Sequence, residues 1–273
     1  MKRLFPLLAL AALASTLAAC GGGGGGSDNT TSTQASSVPN PIVFCVDTTY
    51  PPAESIVNGK PAGYDIDIAN AIAKQLGSTA QIKVTGFTVI IPALKQKKCN
   101  AIISSMTITP ERSKQVHFSP YLDVGTFLMV KKGNPSHVTD VASLSGKAAA
   151  VESSTTQLDA LEAENKILKK QGKPLITIKS YPADTSAAAA IQAGKVDAYL
   201  ADATPVLYYI RTTAGKFQTA GKQVGIAPEG VATRLGDPLG KQINNAIQAL
   251  YLNGKMKSIL AKWQASQFAL KNQ

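Results

Sequence analysis

Histidine is nearly absent: the 273-residue chain carries two, with three cysteines and one tryptophan. With so few ligands and no metal-ligand spacing, zinc chemistry and a His-based triad have no support, and no cofactor or metal is expected. Aromatics are only 6% of the chain and do not interleave with basic residues, so the pattern of a nucleic-acid surface is missing. Acids are scarce as well, 17 against 28 Lys and Arg, for a formal net charge of +11. The lysines are scattered, which reads as a solvated basic surface near an anionic envelope. The apolar run Leu4 to Leu17 is too short to cross a bilayer as a mature helix.

What is present begins at that run. Lys2-Arg3, Leu4 to Leu17 and Leu17-Ala18-Ala19-Cys20 form a positive n-region, a short h-region and a small-residue cleavage site. The reading is a signal peptide over 1–19. Leu-Ala-Ala-Cys resembles the bacterial lipoprotein signal, in which cleavage leaves the Cys as a lipid-modified N-terminus. Cys20 is therefore the expected lipid attachment, on a bacterial membrane facing the periplasm or cell envelope. Gly21 to Gly26 and the Ser/Thr-rich stretch to Asn40 bury no core and read as a disordered linker over 20–40, spanning roughly 25 Å as a coil.

From Pro41 onward, strands alternate with helices, the mark of an α/β fold with parallel sheets. Pro41 to Val46 is a buried strand ending at Asp47, and Asn58-Gly59 marks a short hairpin before Tyr64. Asp65 caps a helix over Ile66 to Leu76, with Asp67 on its surface. A strand over Gln81 to Thr85 leads to Phe87, which precedes a helix. The stretch Cys99 to Leu122 is the one the chain is built around. Ala101-Ile102-Ile103 empties into Ser104-Ser105-Met106-Thr107-Ile108-Thr109, and Thr109-Pro110-Glu111 reads as an N-cap and first turn carrying Arg112. A strand end, a row of hydroxyls, a helix start and a guanidinium fork together suit a carboxylate.

Asp123 to Val130 reads as a fresh strand, Val138 to Leu144 as a short helix, and Lys147 to Val151 as a strand leading to Glu152 and Thr155-Thr156. Helix, strand, helix and strand follow to Leu200 and Asp202. Leu94 to Ala101 and Ile191 to Ala198 share a shape: helix end, Lys, apolar residue, Asn or Asp, Ala. That echo anticipates two similar lobes facing one crevice. Val224 to Ala227 and Gly230 to Arg234 are short strand-like runs, and the helices from Asp237 and Lys255 return to the first lobe. For Cys45 and Cys99 a disulfide and free thiols both stay open. An exported protein permits the bond, yet the strand positions offset the two by roughly 10 Å, beyond the usual Cα separation of about 4.4–6.8 Å.

Asp47-Thr-Thr-Tyr50-Pro-Pro, Gly63-Tyr64-Asp65-Ile-Asp67, Ile90-Ile91-Pro92-Ala93-Leu94 and Ile102-Ile-Ser-Ser-Met-Thr-Ile-Thr-Pro-Glu-Arg112 occur in that order. Together they resemble the periplasmic solute-binding proteins that deliver polar or basic amino acids to ABC transporters. The resemblance implies a type II periplasmic-binding-protein fold. Each lobe is a mostly parallel sheet flanked by helices, with lobe 1 at 41–128 and 230–273, lobe 2 at 129–229, and the ligand in the crevice. It implies a monomer whose partners are an amino acid, the permease subunits and, through the anchor, a membrane. Position by position, Arg112 grips the α-carboxylate, helped by Ser104, Ser105, Thr107 and Thr155. Asp202 takes the α-ammonium, Tyr50 and Phe87 sandwich the side chain, and Asp47 faces a cationic tip. Thr156 stands where basic-amino-acid members carry Gln, Ala53 replaces an aromatic, and Glu152 adds an acid near the crevice. The alternatives are a neutral or acidic ligand such as glutamine or glutamate, and a cyclohexadienyl dehydratase on the same scaffold.

Overall fold

The computed structural model describes residues 37–271. The expected signal peptide, Cys20 and most of the linker lie outside the described residues. The last residues assigned to the linker are held: Ser78 Oγ donates to the Pro39 carbonyl (2.7 Å) and Thr79 Oγ1 to Asn40 Oδ1 (3.1 Å).

Among the described residues there are ten strands: β1 Ile42–Val46, β2 Ser55–Val57, β3 Lys60–Ala62, β4 Ala80–Val84, β5 Ala101–Ile102, β6 Val116–Lys131, β7 Ala148–Glu152, β8 Thr177–Tyr181, β9 Ala198–Asp202 and β10 Phe217–Arg234. The helices are α1 Tyr64–Gln75, α2 Phe87–Lys95, α3 Pro110–Ser113, α4 Thr156–Lys170, α5 Asp184–Gln192, α6 Ala203–Thr212, α7 Leu239–Leu252 and α8 Lys255–Lys262. Eight strands form one sheet in the order β4-β1-β5-β10-β6-β9-β7-β8, and β2 and β3 pair as the hairpin around Asn58-Gly59.

The order is symmetric about its middle. β1 lies parallel between β4 and β5, and β7 lies parallel between β8 and β9. Between these triplets β6 and β10 run antiparallel, β10 meeting β5 at Ala232 and Thr233 while β6 meets β9 over Thr126 to Val130. This is a two-lobed α/β architecture with two crossing strands. They are continuous, which corrects the fresh strand at Asp123 and the two short runs after Val224. Pro120, Gly125 and Pro228 punctuate the sequence pattern, but register shifts between Ala220/Val224, Val224/Ala227 and Glu229/Gly230 absorb them.

Both faces of each triplet are covered, so its strands read as apolar runs rather than alternations. In β1, Phe44 enters the core beneath α1, where Ile68 and Ile72 meet Ile243, Ile247 and Leu260 of α7 and α8. Its neighbour Cys45 points the other way, into a cluster with Ile90, Leu94, Cys99 and Ile102 beneath α2. There Cys45 and Cys99 are bonded, with Cα atoms 5.7 Å apart. Cys45 pairs in register with Ile102, so the three-residue offset is real. Cys99 precedes β5 rather than extending it, and the turn after α2 brings it back.

The sequence echo has a structural counterpart. Asn100 donates its N–H to Val43 O (2.7 Å) and its Oδ1 accepts from Val43 N (2.8 Å). Asp197 does the same with Ala148 O (2.8 Å) and Ala148 N (2.9 Å). Lys83 Nζ reaches Lys98 O and Lys179 Nζ reaches Lys195 O. Each clamp ties the third strand of a triplet to the start of its central strand, which sets where the opposite ends emerge.

Asp65 is not a cap, for α1 has no side-chain cap at Gly63. It is fully buried, accepting from Ser105 N (2.8 Å) and Tyr121 OH (3.0 Å). Asp67 does not stand free on the surface but accepts from Lys262 Nζ and Trp263 Nε1, both at 2.7 Å. Gly63 makes this corner possible. Its φ is 150°, and a Cβ there would lie 1.8 Å from Ala53 O, where Asp65 N donates at 3.0 Å. Gly63→Ala is expected to lower the unfolding free energy by about 3 kcal/mol. Chemical denaturation checks this, and a loss below about 1 kcal/mol would contradict the packing described.

Candidate functional site

The C-terminal ends of β1, β5, β7 and β9 point at one another from the two lobes, the usual place for a site in α/β sheets. Between them lies a narrow cavity lined from both lobes. Lobe 1 lines it with Asp47, Tyr50, Glu54, Phe87, Ser104, Ser105, Thr107 and Arg112; lobe 2 supplies Glu152, Thr155, Thr156, Gln157 and Asp202. All nine residues singled out from the sequence for ligand contact are in this lining. Glu54 and Gln157 were not anticipated. The residue before Ser55 follows two prolines and carries no periodicity. Gln157 stands one place after the Thr156 that had looked like a missing Gln.

Arg112 sits on the short turn α3, whose Thr109 cap accepts from Arg112 N (3.2 Å). Its guanidinium donates to Thr107 O (2.8 Å) and, across the crevice, to Ser154 O (3.0 Å). The Phe87 ring lies 5.4 Å below it. Two of five N–H donors are thereby used, and three remain on the fork. Burial lowers its pKa, opposed by the charges of Asp202 and Asp159.

The acids divide by what satisfies them. Asp47 accepts from Thr49 N (2.9 Å) and Phe87 N (2.7 Å), so it closes a turn and meets the start of α2 while lining the cavity. Asp202 makes no side-chain cap to α6. Its oxygens accept from Tyr50 OH (2.8 Å) and Gln157 Nε2 (2.7 Å). Burial pushes it up to about 6, restrained by those two bonds and by Arg112. Tyr50 thus ties the lobes together besides offering a ring. Ser104 is engaged within lobe 1, accepting from Asp47 N (3.0 Å) and donating to Glu54 Oε1 (2.8 Å). Ser105 takes a left-handed φ of 40° to aim its N–H at Asp65. Thr155 caps α4 through Leu158 N (3.3 Å) and donates to Glu152 O (2.7 Å).

A second rank of acids stands behind. Asp65 is pushed to about 6 by burial, and Glu54 is raised further, by burial and by Asp65 beside it. Asp184, bonded to Tyr199 OH and Tyr209 OH, is held near 7 by burial. Glu152 is pushed to about 10, first by burial, then by the charges of Asp184 and Asp47. Among the described residues no group of acids, His and Cys is arranged to hold a metal ion.

Residues 42–266 match the family described as bacterial extracellular solute-binding proteins, family 3. The chain belongs to that family. It is 31% identical to ABC transporter arginine-binding protein 1 of Escherichia coli (strain K12), over 85% of this chain and 93% of that one. Among solved structures, an ancestral arginine-binding protein bound to arginine superposes with a TM-score of 0.76 at 34% identity, covering 82% of this chain and 98% of that one. An ancestral amino acid-binding protein described as a precursor of cyclohexadienyl dehydratase gives 0.73 at 31%, covering 82% and 95%.

The raised acids set the pH response of the protein without added ligand. Asp65, Asp184, Asp202 and Glu152 hold protons in the folded state at pH values where the unfolded chain has lost them. Unfolding therefore releases protons, and stability falls as pH rises from about 4 toward 7 and above. Calorimetry should find Tm about 5 °C lower at pH 8 than at pH 5, with a smaller drop in Asp184→Asn. A Tm that rises over this range would contradict the assignment.

Proposed function

We propose that this family member is the receptor of an amino-acid ABC transporter, holding an L-amino acid with a cationic side chain between its lobes and passing it to a membrane permease. The observation that carries the reading is the cavity's acidity: among the described residues four carboxyl groups, two of them (Glu54 and Glu152) favoured by burial in the protonated form, and a single guanidinium line it. A zwitterion with an extra cation matches that excess better than a neutral or acidic solute does. Arg112 takes the α-carboxylate with its remaining donors, beside Thr107 and Thr155. Asp202 takes the α-ammonium, and Tyr50 and Phe87 flank the side chain. Asp47 and Glu152, at corresponding ends of β1 and β7, face its tip.

Residues 41–128 and 230–273 then act as one lobe and 129–229 as the other, closing about β6 and β10. The Tyr50–Asp202 and Arg112–Ser154 contacts span the crevice, so closure desolvates the ion pairs that hold the ligand. Leu17 to Cys20 supports a lipid anchor at Cys20, on the outer side of a bacterial membrane.

A second reading rests on one observation, the buried acid Glu152 in the cavity, which suits proton transfer in a dehydratase. Incubation with prephenate or arogenate separates the two: the receptor reading expects no product, and turnover overturns it.

Thermal shift against the twenty amino acids plus ornithine is the direct screen. Arginine, lysine, ornithine or histidine should raise Tm, by about 4 kcal/mol of stabilisation at a thousandfold excess over Kd. A shift with glutamate or a neutral residue alone would overturn the cationic assignment. Arg112→Ala should abolish binding of every amino acid, and retained affinity would refute its carboxylate role.

A further inference from the structure

Glu152 is the last residue of β7 and only 4% exposed, and its Oε1 has no hydrogen-bond partner. Asp47 and Asp202 differ. Asp47 accepts two backbone N–H groups, and Asp202 accepts Tyr50 OH and Gln157 Nε2 and feels Arg112. Glu54 accepts from Ser104 at Oε1 and, though its Oε2 also lacks a partner, it is set against Asp65 within lobe 1. Ionising Glu152 therefore leaves a buried charge with a single backbone N–H in its favour, among acids.

The groups facing it come from every side. Asp47 stands at the end of β1, Asp202 at the end of β9 and Asp184 at the start of α5, where a backbone N–H alone favours the charged form. Tyr199 of β9 and Tyr209 of α6 also feel its charge. Among the described residues the one cation lining the cavity is Arg112, already bonded to Thr107 O and Ser154 O.

Building on the amino-acid receptor reading, we propose that Glu152 discriminates ligands by proton exchange: it waits as a neutral carboxylic acid and releases its proton to solvent when a cationic side chain enters. The O–H bond of Glu152 breaks, the proton goes to buffer, and the carboxylate left behind faces the ligand's cation. A neutral side chain supplies no compensating charge, so the proton stays. Discrimination then comes from changing the site's own charge as well as from fixed contacts. Burial of Glu152 and the surrounding acids supports this, having pushed its pKa to about 10.

Calorimetric titration with L-arginine near neutral pH, in phosphate, HEPES and Tris, reads the protons exchanged from the dependence of observed heat on buffer ionisation heat. The wild type should release about one proton per arginine, and its affinity should rise about tenfold per pH unit between pH 7 and 8. L-citrulline, the neutral isostere, should release about none. In Glu152→Gln the arginine release should vanish. Arginine binding without proton release overturns the proposal, as does undiminished release in Glu152→Gln, which would point to the Glu54–Asp65 pair. If Glu152→Gln does not fold, the pH slope of the wild type decides alone, a flat slope counting against the proposal. Absence of binding by any amino acid overturns the receptor reading itself, and is told apart because no heat appears.

Discussion

Burying many carboxylates around one guanidinium is the constraint on which the rest of this structure depends. Asp47, Glu54, Glu152 and Asp202 line one cavity with Arg112, and Asp65 and Asp184 stand behind them, almost wholly excluded from water. Such a cluster persists only if each charge is met by donors or suppressed by a proton. Backbone N–H groups meet Asp47, Tyr50 and Gln157 meet Asp202, and tyrosine hydroxyls meet Asp184. The chain as a whole is strongly basic, so the acidity of the crevice is a local construction rather than a bulk property.

The fold makes that construction by using one plan twice. In each half a central strand is flanked by the next two strands of its sheet, β4 and β5 about β1 and β8 and β9 about β7, and an Asn or Asp clamp fixes its starting end. Fixing one end of β1 and β7 determines where Asp47 and Glu152 emerge at the other. The crossing strands β6 and β10 then hold the halves face to face, and the bonds from Tyr50 and Arg112 to lobe 2 close the gap.

Much of this could be read from the chain. The alternation of strands and helices, the hairpin at Asn58-Gly59 and the Thr109 cap rest on local chemistry, and local chemistry survives in the fold. So does the spacing of the nine residues that meet at the cavity. The continuity of β6 and β10 was hidden, because a strand crossing between two lobes changes neighbours and faces midway and its apolar period breaks there. Asp65 looked like a cap since an acid before a helix usually is one; its burial follows from the Ala53–Glu54 backbone lying against Gly63 and from Ser105 and Tyr121 closing over its carboxyl group. The disulfide was obscured because Cys99 leaves the strand direction. Glu54 and Gln157 had no pattern to betray them, since their positions depend on turns rather than periodicity.

The charge excess of the crevice is the central claim, and the affinity ratio of L-arginine to L-citrulline at neutral pH measures it most directly. The two ligands share size and shape and differ by one charge at the tip. The account predicts that arginine binds at least about 100-fold more tightly. Equal affinity, or a preference for citrulline, would contradict it.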